Sequence, residues 1–397
     1  MNGREFSLLD VAKGLVNNEF VYYYQPTISM VTGRLYGAEA LLRWVKPNGQ
    51  IILPADFIPQ AESSGLVADI THQMFPALLA DIQRIRQADP WLQLSFNLSV
   101  KDFESRKVLG AIDHAIQTGQ ADPKLLQAEL TEASIILNDN QLFRDSLHSL
   151  TRLGMTLAMD DFGSGYASIA TLSKWPFATL KLDQELTLGT ERSNKNKAIL
   201  EASIMMANCL GVDTVAEGIE SPEMYQYLLN AGCTRGQGFW MGRPMPLPDY
   251  LGFIKKEHRW SSVPVGLIYL AKLEHLRWMQ LVTSEVIGNA LDSRLAHAKD
   301  DIVFTFEVDP ANCRLGRWYY GVGRQFKDDA AYLNLDAPHV CLHQLAHKLR
   351  DAVQQEFSHD EILRLLRLLT AQSNIVLGLL QDLENDARFA QLQPDGR

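Results

Sequence analysis

Eight polar side chains recur at one kind of place in this sequence, the final residues of short apolar runs: Glu39, Asn97, Glu129, Asp160, Asp161, Lys181, Glu217 and Gln237. A single acid at such a position is ordinarily a loop solvator or a helix cap. Five carboxylates aimed from separate runs at one place are different, because like charges held close raise one another's pKa unless a cation neutralises them. The donors are oxygen-rich, with no Cys or His among them, which points to Mg²⁺ or Mn²⁺. Two such cations roughly 3.5 to 4 Å apart would lower the pKa of a shared water and steady both oxygens of an in-line displacement.

A second constellation lies near the C-terminus. His339 and His343 are spaced i, i+4 behind Pro338, a residue permitted at a helix start, and Cys313 and His275 precede them. One Cys and three His make a closed tetrahedral zinc set. His347 stands i, i+4 from His343, so the last ligand pair is open between His339/His343 and His343/His347. Taken alone, His275 in an apolar seam reads equally as a hydrogen-bonded core histidine. Cys341 reads as a small hydrophobe on a helix face, with a redox role left open by its nearness to the set.

The elements that must position these groups follow from periodicity. VYYYQPTI, RLYGAEALLRW, LQLSFNLS, LQAELTE, TLAMDD, TLKLD, DTVAE and CTRGQGF read as strands, with helices such as Phe103–Gln117 and Lys195–Leu210 between them. Eight strands in ~250 residues predict an α/β fold, a (β/α)₈ TIM-like barrel whose site sits at the C-terminal strand ends. MVTGR leaves no room for a helix between the first two strands, so that pair is antiparallel. Beyond Pro246 the pattern becomes helical: Ile268, Ala271, His275, Trp278 and Val282, then Ile362, Leu366, Leu369, Ser373, Val376, Leu380 and Leu383, repeat at helical steps. The expected organisation is a barrel over residues 1–258, a linker over 259–264 and a small all-α bundle over 265–397, with LQPDGR frayed at the end.

Composition narrows the function. With 397 residues, 46% hydrophobic and 21% charged, the chain is of globular type and long enough for two domains. A net charge of −10 argues against a DNA or RNA polymer or an anionic membrane as partner. No run approaches the ~18 to 20 apolar residues of a membrane span, and Met1–Asp10 lacks a signal-peptide layout, so a cytoplasmic protein is expected. The four cysteines include no C-x-x-C pair, and a reducing compartment would keep them as thiols.

Glu39-Ala40-Leu41 within AEALLRW, followed in order by FNLS, ELTE, DDFGSGY, LKLD, VAEGIE and TRGQGFWMGRP, resembles the EAL domain family across nearly all of residues 1–258. The resemblance implies a phosphodiesterase that opens c-di-GMP to linear pGpG. It implies that Glu39, Asn97, Glu129 and Asp160 bind one metal, and that Asp160 bridges to a second held also by Asp161 and Glu217. Lys181 and Gln237 would position the attacking water, and Glu217 would take its proton. Glu132 would anchor the loop Asp161–Tyr166, in which Ser164 replaces the family's commoner Thr. Arg43 would contact a phosphate, and Gln25, Asp56 and Glu220 would lie on the substrate side; outside its motif Arg43 reads equally as a surface residue. The guanine preference comes from the resemblance alone. An EAL domain with an incomplete acidic set would instead be a non-catalytic c-di-GMP receptor, but no catalytic position is lost here; a third reading, which nothing in the sequence demands, is a protein-interaction module switched by zinc.

Over roughly residues 265–390 the pattern C-x-L-G-x-W and P-H-x-x-x-H resembles the chemoreceptor zinc-binding (CZB) domain. That implies Zn²⁺ at His275, Cys313, His339 and His343, and a sensor of zinc or oxidant, where a purely structural zinc is the plainer alternative. Both resemblances imply a homodimer.

Overall fold

Period-two alternation produces a ten-stranded sheet in the computed structural model of the chain, which describes residues 6–137, 140–163, 175–262, 265–292, 304–355 and 357–392. The strands are β1 (Phe20–Ser29), β2 (Arg34–Val45), β3 (Ile51–Ile52), β4 (Gln93–Asn97), β5 (Leu126–Thr131), β6 (Thr156–Phe162), β7 (Thr179–Leu182), β8 (Asp213–Ala216), β9 (Arg235–Gln237) and β10 (Met245–Pro246). Eight of them close a barrel in the order β1-β2-β4-β5-β6-β7-β8-β9 and back to β1. From β2 round to β9 the barrel pairings are parallel, while β1 runs antiparallel to both β2 and β9. The expected barrel and its antiparallel first pair are both present. Two-residue β3 and β10 were not foreseen, being too short to show alternation. The expected helix Phe103–Gln117 is two helices, Val100–Ser105 and Lys107–Gln117, broken where Arg106 takes a φ of 57°.

The barrel interior departs from the usual branched aliphatic layers. Inward positions below the strand ends carry Thr27, Gln93, Ser95, Gln127, Thr179 and Arg235, all buried. They bond to one another: Gln127 donates to Thr179 Oγ1 at 2.9 Å, Gln93 donates to Thr156 Oγ1 at 3.2 Å, and Arg235 pairs with Asp213 and lies over the Tyr36 ring at 3.8 Å. Outside the barrel, α1 (Leu8–Val16) packs Val11 and Leu15 into a cluster around the fully buried Trp44, whose Nε1 donates to Glu19 at 2.7 Å.

β2 is pressed closely between its neighbours. Opposite β1 its register slips from Thr27↔Gly37 to Ile28↔Leu35, leaving Tyr36 as the extra residue of a bulge; opposite β4, Gly37 faces Gln93. A Cβ on Gly37 would stand 1.9 Å from the Gln93 carbonyl oxygen.

The chain divides into two compact units, Met1–Leu228 with Cys233–Ser262, and Val263–Arg397 with Leu229–Gly232. The second is built on α2 (Val265–Asp292), α3 (Arg314–Tyr320), α4 (Asp336–Gln354) and α5 (His359–Leu392). Val282 and Val286 of α2, Leu342 and Leu349 of α4, and Leu365 and Leu369 of α5 share one core. Contrary to expectation, α5 is long and apolar enough over His359–Phe389 to cross a membrane by length and composition. Its buried stripe Leu369, Ser373, Val376, Leu380 and Leu383 belongs to the bundle, but Leu363, Leu368, Ile375 and Phe389 are exposed, so both faces raise its apolar content. Ser164–Tyr166 of the expected loop, residues 263–264 of the expected linker and residues 393–397 of the expected fray lie outside the described residues.

Substituting Gly37→Ala forces a methyl group into the Gln93 carbonyl and must part β2 from β4. A loss of about 3 kcal/mol is expected, read as a lower urea midpoint. An unchanged midpoint would show that the β2–β4 contact is looser than described.

Candidate active site and metal centres

One ammonium stands where four carboxylates meet. Lys181 on β7 places Nζ 2.6 Å from Glu129 on β5, 2.8 Å from Glu217 just beyond β8, 3.0 Å from Asp160 on β6 and 3.3 Å from Glu39 on β2. All are buried or nearly so, and each comes from a different strand, so barrel closure alone brings them together. Glu39 also accepts from Asn97 Nδ2 at 3.1 Å and from Gln237 Nε2 at 2.7 Å.

Gln237 is held on both sides. Thr27 donates to its Oε1 at 2.9 Å, which turns the amide nitrogen toward Glu39 and toward Gln25 Oε1 at 3.2 Å. Thr27 went unnoticed in the sequence. The available signal was its place two residues after Gln25, on the same inward face of β1.

Burial dominates the ionisation of the set. It raises Glu129 well above its ordinary range, with Glu39 adding to the effect, and raises Asp160; it lifts Glu217 to about 8 despite Lys181, and Asp161 to about 6 with Asp160 contributing. At Glu39 burial is outweighed by Lys181 and the bonds from Gln237 and Asn97, so that carboxyl is lowered. At Lys181 burial is outweighed by Asp160, Glu129, Glu217 and Glu39, so the ammonium is held far more firmly than usual.

Neighbouring residues on a strand face opposite ways, yet Asp160 and Asp161 both serve the site. The β6–β7 register shifts between Met159 and Phe162, and Asp161 adopts a φ of 58°, left-handed backbone that a non-glycine residue rarely takes. The irregularity turns both carboxylates inward. Among the described residues, Glu39, Glu129 and Asp160 offer oxygens within 4.8 Å of one another, and so do Asp160, Asp161 and Glu217. Two overlapping oxygen sets sharing Asp160 fit a pair of hard divalent cations.

A cleft of about 190 Å³ opens over this cluster, lined among others by Gln25, Glu39, Asp160, Glu217, Glu220 and Phe239. Exposed Phe239, inside the TRGQGF run, was not singled out from sequence, where neither its exposure nor its place at the cleft has a signal. Arg43 and Asp56 are not among the lining residues. Arg43 is buried on β2, donates to the Leu42 carbonyl at 2.8 Å and lies 5.8 Å from the Tyr23 ring, while Asp56 is exposed at the end of the turn Pro54–Asp56. Glu132, wholly buried, accepts from Gly163 N–H at 3.4 Å, at the start of the loop it was expected to anchor.

In the bundle, Cys313, His339 and His343 offer ligand atoms within 4.8 Å of one another, with Cys313 Sγ 3.2 Å from His339 Nε2. His343 joins His339 here; His347 points outward to Asp351 at 2.9 Å and Arg350 at 2.9 Å. His275 is buried and lines the same cavity of about 480 Å³, but stands outside the three-atom group, with Nε2 2.8 Å from Ser373 Oγ. Cys313 caps α3, its sulfur accepting from Gly316 N–H at 3.2 Å. A Cβ on Gly316 would lie 1.7 Å from the Pro310 carbonyl oxygen, which explains the glycine in C-R-L-G. Burial raises the Cys313 thiol to about 11 and lowers His275 to about 4, His339 to about 3 and His343 to about 4. The imidazoles are therefore neutral and free to donate a lone pair, a donor set suited to zinc.

Residues 9–244 match the EAL domain family and residues 275–349 the chemoreceptor zinc-binding domain. The cyclic di-GMP phosphodiesterase RocR of Pseudomonas aeruginosa is 34% identical over 250 residues, 62% of this chain and 63% of RocR, so the chain spans less than two thirds of that relative. The PaMucR phosphodiesterase, solved as a c-di-GMP complex, superposes with a TM-score of 0.57 at 30% identity, covering 61% of this chain and 98% of that one. The EAL enzyme Bd1971, solved with cAMP and cyclic-di-GMP bound, gives 0.59 at 26% identity, covering 62% and 67%. With the glutamate of its Glu39-Ala40-Leu41 triplet set among buried carboxylates in a barrel that opens on an antiparallel strand, the chain belongs to the EAL domain family.

Proposed function

We propose that the chain is a phosphodiesterase, dependent on Mg²⁺ or Mn²⁺, that hydrolyses c-di-GMP to linear pGpG, and that Zn²⁺ in the bundle regulates it. The convergence of Glu39, Glu129, Asp160 and Glu217 on Lys181, with Asp161 beside them, carries the catalytic reading. Glu39, Asn97, Glu129 and Asp160 would hold one divalent cation, and Asp160, Asp161 and Glu217 a second. When bound, the pair supplies charge neutralisation at the phosphodiester and acidifies a water. Glu217, once cation uptake has displaced its own proton, would take the proton from the attacking water. Lys181 keeps the acids together, and a carboxylate drawn onto a cation would free one of its N–H groups for that water. Gln237, its carbonyl engaged by Thr27, holds Glu39 in place. Gln25 and Glu220 line the substrate cleft, whereas Arg43 must leave the Leu42 carbonyl to reach a phosphate.

Cation uptake must displace protons from the raised carboxyls, so it strengthens with pH. Glu217 is protonated below about 8 and Asp161 below about 6, which sets the window. Affinity for Mn²⁺ by calorimetry is expected to rise up to about tenfold per pH unit from pH 6 toward 8, then level off. A flat profile would remove these groups from the ligand set.

With saturating Mg²⁺ or Mn²⁺, chromatography should show c-di-GMP converted to pGpG. Glu39→Ala and Glu217→Gln should each lower turnover by about 10³-fold or more while Glu217→Gln still binds the substrate. Binding without turnover by the wild-type chain under both metals would make it a receptor.

Regulation is tested at saturating Mg²⁺ with zinc supplied at nanomolar free concentration and then chelated. Turnover of the wild type should differ between the two, and Cys313→Ala, which lacks the thiolate, should not respond. Equal rates in all four cases, with zinc binding verified, would leave the bundle structural.

A further inference from the structure

We propose that Ser373 is the outer partner of the zinc site, holding His275 as the ligand whose Nδ1 faces the metal; this rests on the reading of the bundle as a zinc domain. The three ligand atoms gathered from Cys313, His339 and His343 leave a tetrahedral ion one short. His275 lines the same cavity and its Nε2 is engaged, 2.8 Å from Ser373 Oγ, so Nδ1 is the nitrogen left to donate.

A coordinating imidazole carries a hydrogen on its other nitrogen, and that hydrogen needs an acceptor when buried. Ser373 is itself buried, one of the few polar side chains in the inward stripe of α5, between Leu369 and Val376. A hydroxyl suits the position for a specific reason: it donates or accepts by rotating about its own bond. It can serve Nε2 while His275 is free and accept the Nε2 hydrogen once Nδ1 is committed. Alanine can do neither, and threonine can do both. The arrangement also brings in α5, which carries none of the expected ligands, because the fourth ligand on α2 is steadied from that helix.

The test uses the full chain, zinc alone as ligand and a chromophoric chelator as competitor, with circular dichroism to verify folding. With saturating Mg²⁺ present to occupy the carboxylate site, the wild type should bind one zinc at nanomolar free concentration, and Cys313→Ala should bind it far more weakly; if the wild type binds none, the zinc reading falls and this one with it. Given wild-type binding, Ser373→Ala should weaken zinc affinity by about tenfold to a hundredfold, and Ser373→Thr should restore it to within about threefold. In a His275→Ala background, Ser373→Ala should have no further effect on affinity, which separates action through His275 from general damage to the bundle. Should Ser373→Ala not fold, Ser373→Cys is measured in the same scheme, with loss of affinity again expected. Cobalt in place of zinc gives a second readout: the thiolate charge-transfer band should persist in Ser373→Ala while the visible band of the four-coordinate ion weakens. Unchanged affinity in Ser373→Ala, tighter binding, or an equal loss in the His275→Ala background would each overturn the proposal.

Discussion

Charge imbalance around Lys181 is the constraint on which the rest of the barrel depends. Four carboxylates lie within 3.3 Å of one ammonium, leaving a formal excess of three negative charges in a buried space. Such a cluster survives only by taking up protons or cations. Both responses are visible in the side chains: Glu129 and Glu217 are pushed toward protonation, and the oxygens fall into two sets of cation-binding size. Lys181 answers the imbalance only in part. It keeps the acids in register without satisfying them, which leaves the site with a standing affinity for divalent ions.

That burden explains the unusual barrel floor. Groups below the site face the same interior, and an aliphatic layer there would lower the local dielectric beneath charges already poorly screened. Gln127, Thr179, Gln93 and Arg235 instead form a bonded polar layer under Glu129 and Lys181. The floor also fixes orientation, since Thr27 from that layer decides which end of Gln237 faces Glu39.

Much of this was legible in the chain because a strand repeats every two residues, so acids at the ends of apolar runs had to share the mouth of a closed barrel. Less legible was everything that depends on a break in that repeat. Tyr36 as a bulge residue and the left-handed Asp161 are backbone events with no side-chain signature, and Asp161 reaches the site only through one of them. The centrality of Lys181 was hidden for another reason: spacing places it at the mouth but says nothing of which carboxylates it touches. In the bundle, spacing could not choose between His339 and His347 as the partner of His343, since i, i+4 describes both pairs. Burial decides it, placing one imidazole inside beside Cys313 and the other outside on Asp351.

The two candidate metal sites differ in what remains when the ion leaves. The oxygen set, once empty, must take up protons at groups such as Glu129 and Glu217 or bear the repulsion of crowded carboxylates, so emptying it costs more than the lost coordination. The nitrogen and sulfur set keeps none, because burial holds His275, His339 and His343 neutral and the Cys313 thiol protonated. Once the Cys313 sulfur has regained its proton, losing the ion there costs coordination alone, and the contact of Cys313 Sγ with His339 Nε2 at 3.2 Å already joins two of the four freed ligand atoms. A site whose metal-free state is uncharged and partly hydrogen-bonded can fill and empty as free zinc changes, whereas the carboxylate site is driven to stay occupied. On the proposed reading, that difference suits the bundle's metal to regulation and the barrel's to chemistry.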